Sequence, residues 1–210
     1  MASQLGIYQE ALEHLGERPL ASLAEDREPR RALDSAWERT VEFCLEAGYW
    51  NFALRSVEVE AEAGIEPAFG FAYAFTKPTD WVRTFVVSPV DTFTFVENFP
   101  FLDENHYWLC DTDPLYVRYV SDDADFGWNI TKWPNTFAAY VALALARRIC
   151  RRITNSSDLY ETLFKLESRA KIEAMSKDAQ NEGPKRPPYG SWVRSRGSMV
   201  NASGWNEKFR

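Results

Sequence analysis

The hydrophobic period of this 210-residue chain changes twice, from about 3.6 residues to 2 and back, and that alternation constrains the fold more than any other feature. Helical ends around a strand-rich middle exclude both an all-helical and an all-sheet domain. The predicted class is α+β: an antiparallel helical bundle with an inserted antiparallel β region and an extended C-terminal tail. Residues 1–49 and 126–182 read as the helical bundle, 50–125 as the inserted β region and 183–210 as the tail.

Leu5, Tyr8, Leu12 and Leu15 share one face of a helix predicted from Gln4 to Leu15, and Gly16 supplies its stop. The acidic segment Glu25-Asp26-Arg27-Glu28-Pro29 reads as a second helix start, with Pro29 near the first helical position and negative charge against the N-terminal dipole. Ala32, Leu33, Ala36, Trp37, Val41, Cys44 and Leu45 then form a stripe ending at Gly48. A third helix is expected after Trp133-Pro134-Asn135, along Phe137, Tyr140, Val141, Leu145 and Ile149. A fourth starts near Ser157 or Asp158, with Asn155-Ser156-Ser157 as its cap. It carries Leu159, Leu163, Leu166, Ala170 and Ala174 on or near one face, and ends near Asn181-Glu182-Gly183-Pro184.

In the middle, Phe69, Phe71, Tyr73 and Phe75 alternate with small residues, and Val57 and Val59 with charged ones. Pro67, Pro78, Pro89, Pro100 and Pro114 divide the region into short strands. These are expected at Asn51–Glu60, Phe69–Thr76, Val82–Val87, Thr92–Val96, Tyr107–Asp111 and Leu115–Val120.

The net charge of −7 is unevenly distributed. Residues 185–210 carry +5 and residues 1–184 carry −12, so an acidic body ends in a basic tail. Within that tail Lys185, Arg186, Tyr189, Trp192, Arg194 and Arg196 combine cations with aromatic anchors, and Pro187-Pro188 stiffens the segment. Cys44, Cys110 and Cys150 are odd in number and widely spaced, which predicts neither a disulfide framework nor a zinc site. No apolar run approaches the roughly 20 residues of a membrane span, and a signal-peptide pattern is missing from the N-terminus. Assembly in a reducing cytoplasm is the expectation.

Lys77, Pro78, Thr79, Asp80, Trp81, Val82 and Arg83 lie between two period-two runs. Pro78 holds Lys77 extended and ends a strand, Asp80 is placed to accept backbone N–H groups in the turn, and Trp81 pins it to a core. Lys77, Asp80, Trp81 and Arg83 thus form either a contact for a neighbouring protein or a folded corner in which Lys77 or Arg83 pairs with Asp80. The carboxylates Asp111/Asp113 and Asp122/Asp123/Asp125, with Trp108 or Trp128 to stack on a sugar ring, give a glycan-hydrolase alternative. Arg147, Arg148, Arg151 and Arg152 fit either dipole compensation at a helix end or nucleic-acid binding. His14 and His106 have no companion at metal-ligand spacing, and neither a nucleophile elbow nor a phosphate-cradling glycine loop occurs, so no metal or cofactor is expected.

Several segments carry a family resemblance in a shared order. They are residues 11–19 (ALEHLGERP), 25–31 (EDREPRR), 44–53 (CLEAGYWNFA), 77–83, Asp113-Pro114-Leu115-Tyr116 with Arg118-Tyr119-Val120-Ser121, Trp133-Pro134, 176–182 (SKDAQNE) and 187–196 (PPYGSWVRSR). In these the chain resembles the tail tubular protein A, or head-to-tail adaptor, family of short-tailed bacteriophages and related prophages. The resemblance covers most of the chain; residues 197–210 lie outside it. It implies a structural virion protein and not an enzyme: a dodecameric ring beneath the portal protein, joined to the tail nozzle protein, assembled in the host cytoplasm. Genomic DNA would pass its channel without specific binding, and no membrane would be involved. The tail residues Lys185 to Arg196 would dock on the portal.

Overall fold

The computed structural model describes residues 2–93 and 99–181 and is an α+β structure of four helices and two small antiparallel sheets. Helix α1 (Gln4–His14) is capped by the Ser3 side chain, which accepts from the Gly6 N–H at 3.1 Å, and it ends at Gly16, whose φ of 72° needs a residue without Cβ. Helix α2 (Glu28–Glu46) begins with Pro29 in its first turn. Of the acidic lead-in only Glu28 lies in that turn. Glu25 instead accepts from the Ala21 N–H at 2.8 Å, closing the loop before it.

Helix α3 (Asn135–Ile153) is the apolar centre, buried from Phe137 to Ala146 at nearly every position, and it packs on α1, α2 and α4 (Ser157–Gln180). Its alanines bring neighbouring backbones close. Ser156 caps α4 by accepting from the Leu159 N–H. The inward face of α4 departs from expectation. Leu163 and Ala174 are buried, whereas Leu166 is exposed; Glu167 and Asp178 are buried instead. Glu167 turns inward because Arg147 of α3 meets it in a two-point ion pair, and Asp178 because it accepts from the Asn51 backbone N–H at 2.9 Å.

One sheet has the order β1 (Leu54–Val59), β6 (Leu115–Ser121), β3 (Trp81–Ser88); the other has β2 (Tyr73–Thr76), β5 (Tyr107–Cys110), β4 (Leu102–Glu104). Residues 51–53, expected as strand, form a 3₁₀ turn that lets Trp50 enter the helical core. Residues 69–72 also fall outside strand β2, leaving Phe69 exposed. At the expected Thr92 strand, Asp91 and Thr92 turn and Phe93 takes a positive φ of 53°, which strand geometry excludes; residues 94–98 lie outside the described ones. Strand β4 was not predicted, since Leu102-Asp103-Glu104 carries little β propensity and is held by pairing with β5.

Central strand β6 serves two cores. Leu115, Val117 and Tyr119 point into a cluster with Phe75, Val87, Trp108 and Cys110 between the sheets. Val120, on the opposite side, joins the helical core. That core holds Trp50, Phe137 and Tyr140 in mutual ring contact, and Trp133 on Phe137 at 5.0 Å. Of the six described tryptophans, Trp50, Trp108 and Trp133 are buried and Trp37, Trp81 and Trp128 are half-buried. The Trp50 and Trp133 N–H groups donate to the Cys44 and Gly127 carbonyls. All three cysteines are free and buried.

Candidate functional site

The corner after β2 brings Lys77, Asp80 and Trp81 together, but with partners other than one another's charges. Lys77 does not pair with Asp80. Its ammonium lies 2.5 Å from an Asp103 carboxylate oxygen on β4, donates to the Asn105 carbonyl at 2.8 Å and sits 3.8 Å from the centre of the Trp81 ring. Only 4 % of that side chain is exposed. The other Asp103 oxygen accepts from the Thr84 hydroxyl at 2.6 Å. Thr84 accepts in turn from the Trp81 and Trp108 indole N–H groups. Asp103 thereby ties the β2–β5–β4 sheet to β3 of the other sheet.

Asp80 faces the opposite way. Its carboxylate accepts from Arg55 at 2.8 Å, from Tyr119 Oη at 3.0 Å and from Ser121 Oγ at 2.5 Å. The turn itself is closed by backbone: Trp81 N–H donates to the Pro78 carbonyl, and Asp122 N–H to the Asp80 carbonyl. Partial burial works against the Asp80 charge, yet donation from Ser121, Arg55 and Tyr119 outweighs it and holds the carboxyl below its usual range. Burial and the adjacent Asp80 charge push the Tyr119 phenol upward, so it stays a donor. Arg83 is not part of this network. Its guanidinium stacks 4.2 Å from the centre of the Tyr49 ring and donates to the Glu46 carbonyl at the end of α2.

The clustered acids mostly serve loops. Asp111 accepts from the Ala72 N–H, Asp113 from the Ala61 N–H and Asp123 from the Asp125 N–H. Trp108 is fully buried and offers no open face to a sugar, and Trp128 packs against Trp37 at 6.4 Å. Asp122 differs: burial, then the Asp80 and Asp123 charges, push its carboxyl upward. Among the described residues no group of His, Cys, Asp and Glu could hold a metal ion. No helix among them is long and apolar enough to cross a membrane.

The arginines of α3 divide. Arg147 is occupied by Glu167 and by the Tyr160 hydroxyl; Arg151 lies 4.6 Å from the centre of the Tyr160 ring, and Arg152 pairs with Glu28 at 2.6 Å. Arg148 has no ion-pair or hydrogen-bond partner among the described residues and lines a cleft of about 300 Å³ with Ala32, Ser35, Ala36 and Arg39 of α2 and Ile149 and Arg152 of α3. Arg39 escaped the sequence reading because its approach to Arg148 depends on how α2 packs on α3. Its repeat on the Ser35 side of the helix was the available signal. The tail residues Lys185, Arg186, Tyr189, Trp192, Arg194 and Arg196 lie outside the described residues.

No protein-family model matches this chain, and no curated protein matches it.

Several large apolar side chains are exposed on α4 and on α2, among polar neighbours such as Lys165, Arg169 and Glu173. Phe164 is 56 % and Ile172 68 % exposed, Met175 and Leu166 are also exposed, and Phe43 is exposed on α2. Met175 further lines an apolar groove with Tyr49, Trp50 and Phe85, beside Asp178 and Ala179 at the end of α4. Exposed large apolar residues thus recur along a 24-residue helix.

Proposed function

We propose that this chain is a structural virion protein, a head-to-tail adaptor that closes into a dodecameric ring between the portal protein and the tail nozzle protein and lines the genome ejection channel. The observation that carries the reading is the set of exposed apolar side chains Phe164, Ile172 and Met175 on α4, of which Met175 also lines the groove at Tyr49 and Phe85. A second copy is its occupant: ring closure leaves each subunit's association surface covered, and it multiplies modest contacts into a rigid collar. In this reading the helices grouped on α3 are the antiparallel bundle that builds the ring, and the sheets project from it. The basic tail from residue 183 docks on the portal.

The corner at Lys77, Asp80 and Trp81 supports a geometric role. Arg55–Asp80 and Thr84–Asp103 each hold one strand or turn to another, which stiffens the projecting part. Electron microscopy of the protein mixed with its portal tests the reading. A collar at the narrow end of the portal is the expected image, and portal particles without added density overturn it.

A glycan-hydrolase reading draws on Asp122, whose raised carboxyl suits a general acid. It predicts cleavage of capsular polysaccharide that Asp122→Asn or Asp125→Asn abolishes. The adaptor reading predicts no cleavage by the unmodified protein.

A further inference from the structure

The geometry points to the cleft between α2 and α3 as a carboxylate-binding groove that receives the acidic outer surface of α1 from a second copy of this chain; this rests on the ring reading above. Three guanidiniums, Arg39, Arg148 and Arg152, line one cleft of about 300 Å³ with the Ser35 hydroxyl, over a floor of Ala32, Ala36 and Ile149. The alanines leave the room and the cations set the chemistry. Neither Arg39 nor Arg148 has an ion-pair partner among the described residues, and gathering like charges in a cleft is unfavourable until an anion arrives. Arg152 shows which anion suits. It already holds the Glu28 carboxylate at 2.6 Å, through a pair that is about half exposed on both sides and so open to exchange. Guanidinium forks match carboxylates in two-point geometry.

The donor of that carboxylate is a second copy on grounds of charge. Residues 1–184 carry −12, and α1 presents Glu10 and Glu13 one turn apart, neither with an ion-pair partner among the described residues. Glu17 follows, with only a 4.0 Å contact to Arg27. Glu10 lines a different groove, formed with Ser3, Gly6, Asn135, Ala138 and Ala139 where α1 meets the start of α3. The cationic cleft takes Arg148, Ile149 and Arg152 from the other end of α3. Two unlike surfaces on one subunit are what a head-to-tail contact requires, since each copy must offer one and accept the other.

Charge exchange between full-length variants tests the pairing. One variant carries Arg39→Glu with Arg148→Glu, the other Glu10→Arg with Glu13→Arg, and each is compared with the unmodified protein by sedimentation velocity and by imaging on the portal. Each variant alone is expected to lose about tenfold or more in self-association, while an equimolar mixture recovers it, because every contact again joins opposite charges. Far-UV circular dichroism checks folding, and Arg39→Gln with Arg148→Gln replaces the first variant if reversal unfolds it.

Assembly of either variant as in the unmodified protein overturns the inference, and so does a mixture that fails to recover. A ring from the unmodified protein together with unaffected variants sinks the cleft assignment alone. Absence of any ring, with or without portal, sinks the adaptor reading as well. Reversal that leaves assembly intact but abolishes retention on duplex DNA makes the cleft a phosphate site and overturns the carboxylate assignment.

Discussion

At the scale of single residues, Gly127 has the least room for a side chain among the described glycines. A Cβ there would lie 2.3 Å from the Ser121 backbone carbonyl and 3.0 Å from a Leu45 methyl, and backbone cannot yield as a side chain can. Gly127→Ala is expected to cost about 3 kcal/mol by urea unfolding. Asp80 gives a pH-dependent counterpart. Its folded carboxyl lies below the unfolded value, so its contribution is complete above the unfolded pKa, near 3.9 for an aspartate, and disappears as pH falls through the lower folded value. Asp80→Asn is therefore expected to destabilise by about 2 kcal/mol at neutral pH, a difference that closes as acidification passes through the lowered folded value. Equal differences at both ends of that titration would refute it. Burial pushes the Cys44 thiol up to about 12, and Cys110 is raised for the same reason. With all three cysteines buried, the native protein should react only slowly with a disulfide reagent, whereas three thiols should titrate in guanidinium. The corner was legible in sequence as a corner, since Pro78 and Trp81 announce it locally. Its partners were not, because Asp103 and Arg55 lie about 25 residues away on either side and only strand packing selects them.

At the scale of elements, the helices were readable and the strands less so, for a physical reason. An amphipathic helix declares its inward face within its own sequence, as Leu12, Leu33 and Val141 show by being fully buried where period 3.6 places them. A strand gains much of its stability from neighbours, so Leu102–Glu104 pairs without propensity and residues 69–72 fail to pair despite theirs. Helix α4 sits between these cases. Leu166 and Glu167 exchange the burial expected of them because Arg147, on another element, captures the glutamate. Glu167→Ala should leave that arginine without its anion beside Tyr160 and lower stability by about 3 kcal/mol, with Arg147→Met/Glu167→Met recovering much of the loss. A single-variant cost below about 0.5 kcal/mol would show the pair to be a surface contact.

At the scale of the whole molecule, the exposed apolar side chains of α4 and the cationic cleft on α2 and α3 are arrangements in space that no linear motif encodes. The basic tail, by contrast, is a purely sequential one. Both described cores close within residues 2–181, so a chain ending at Asn181 is expected to keep its melting temperature within about 2 °C and to bind portal more weakly. Unchanged portal affinity would remove the docking role from Lys185 to Arg196. Strand β6, finally, gives one side to each core, with Tyr119 on one and Val120 on the other. Strands β1 and β3 also touch both cores, so a load applied to the sheets reaches the helices through strands common to the two, without a slack joint between them. Heat should melt the two halves in one transition, and a collar built from such subunits would transmit torque where a hinged one would absorb it.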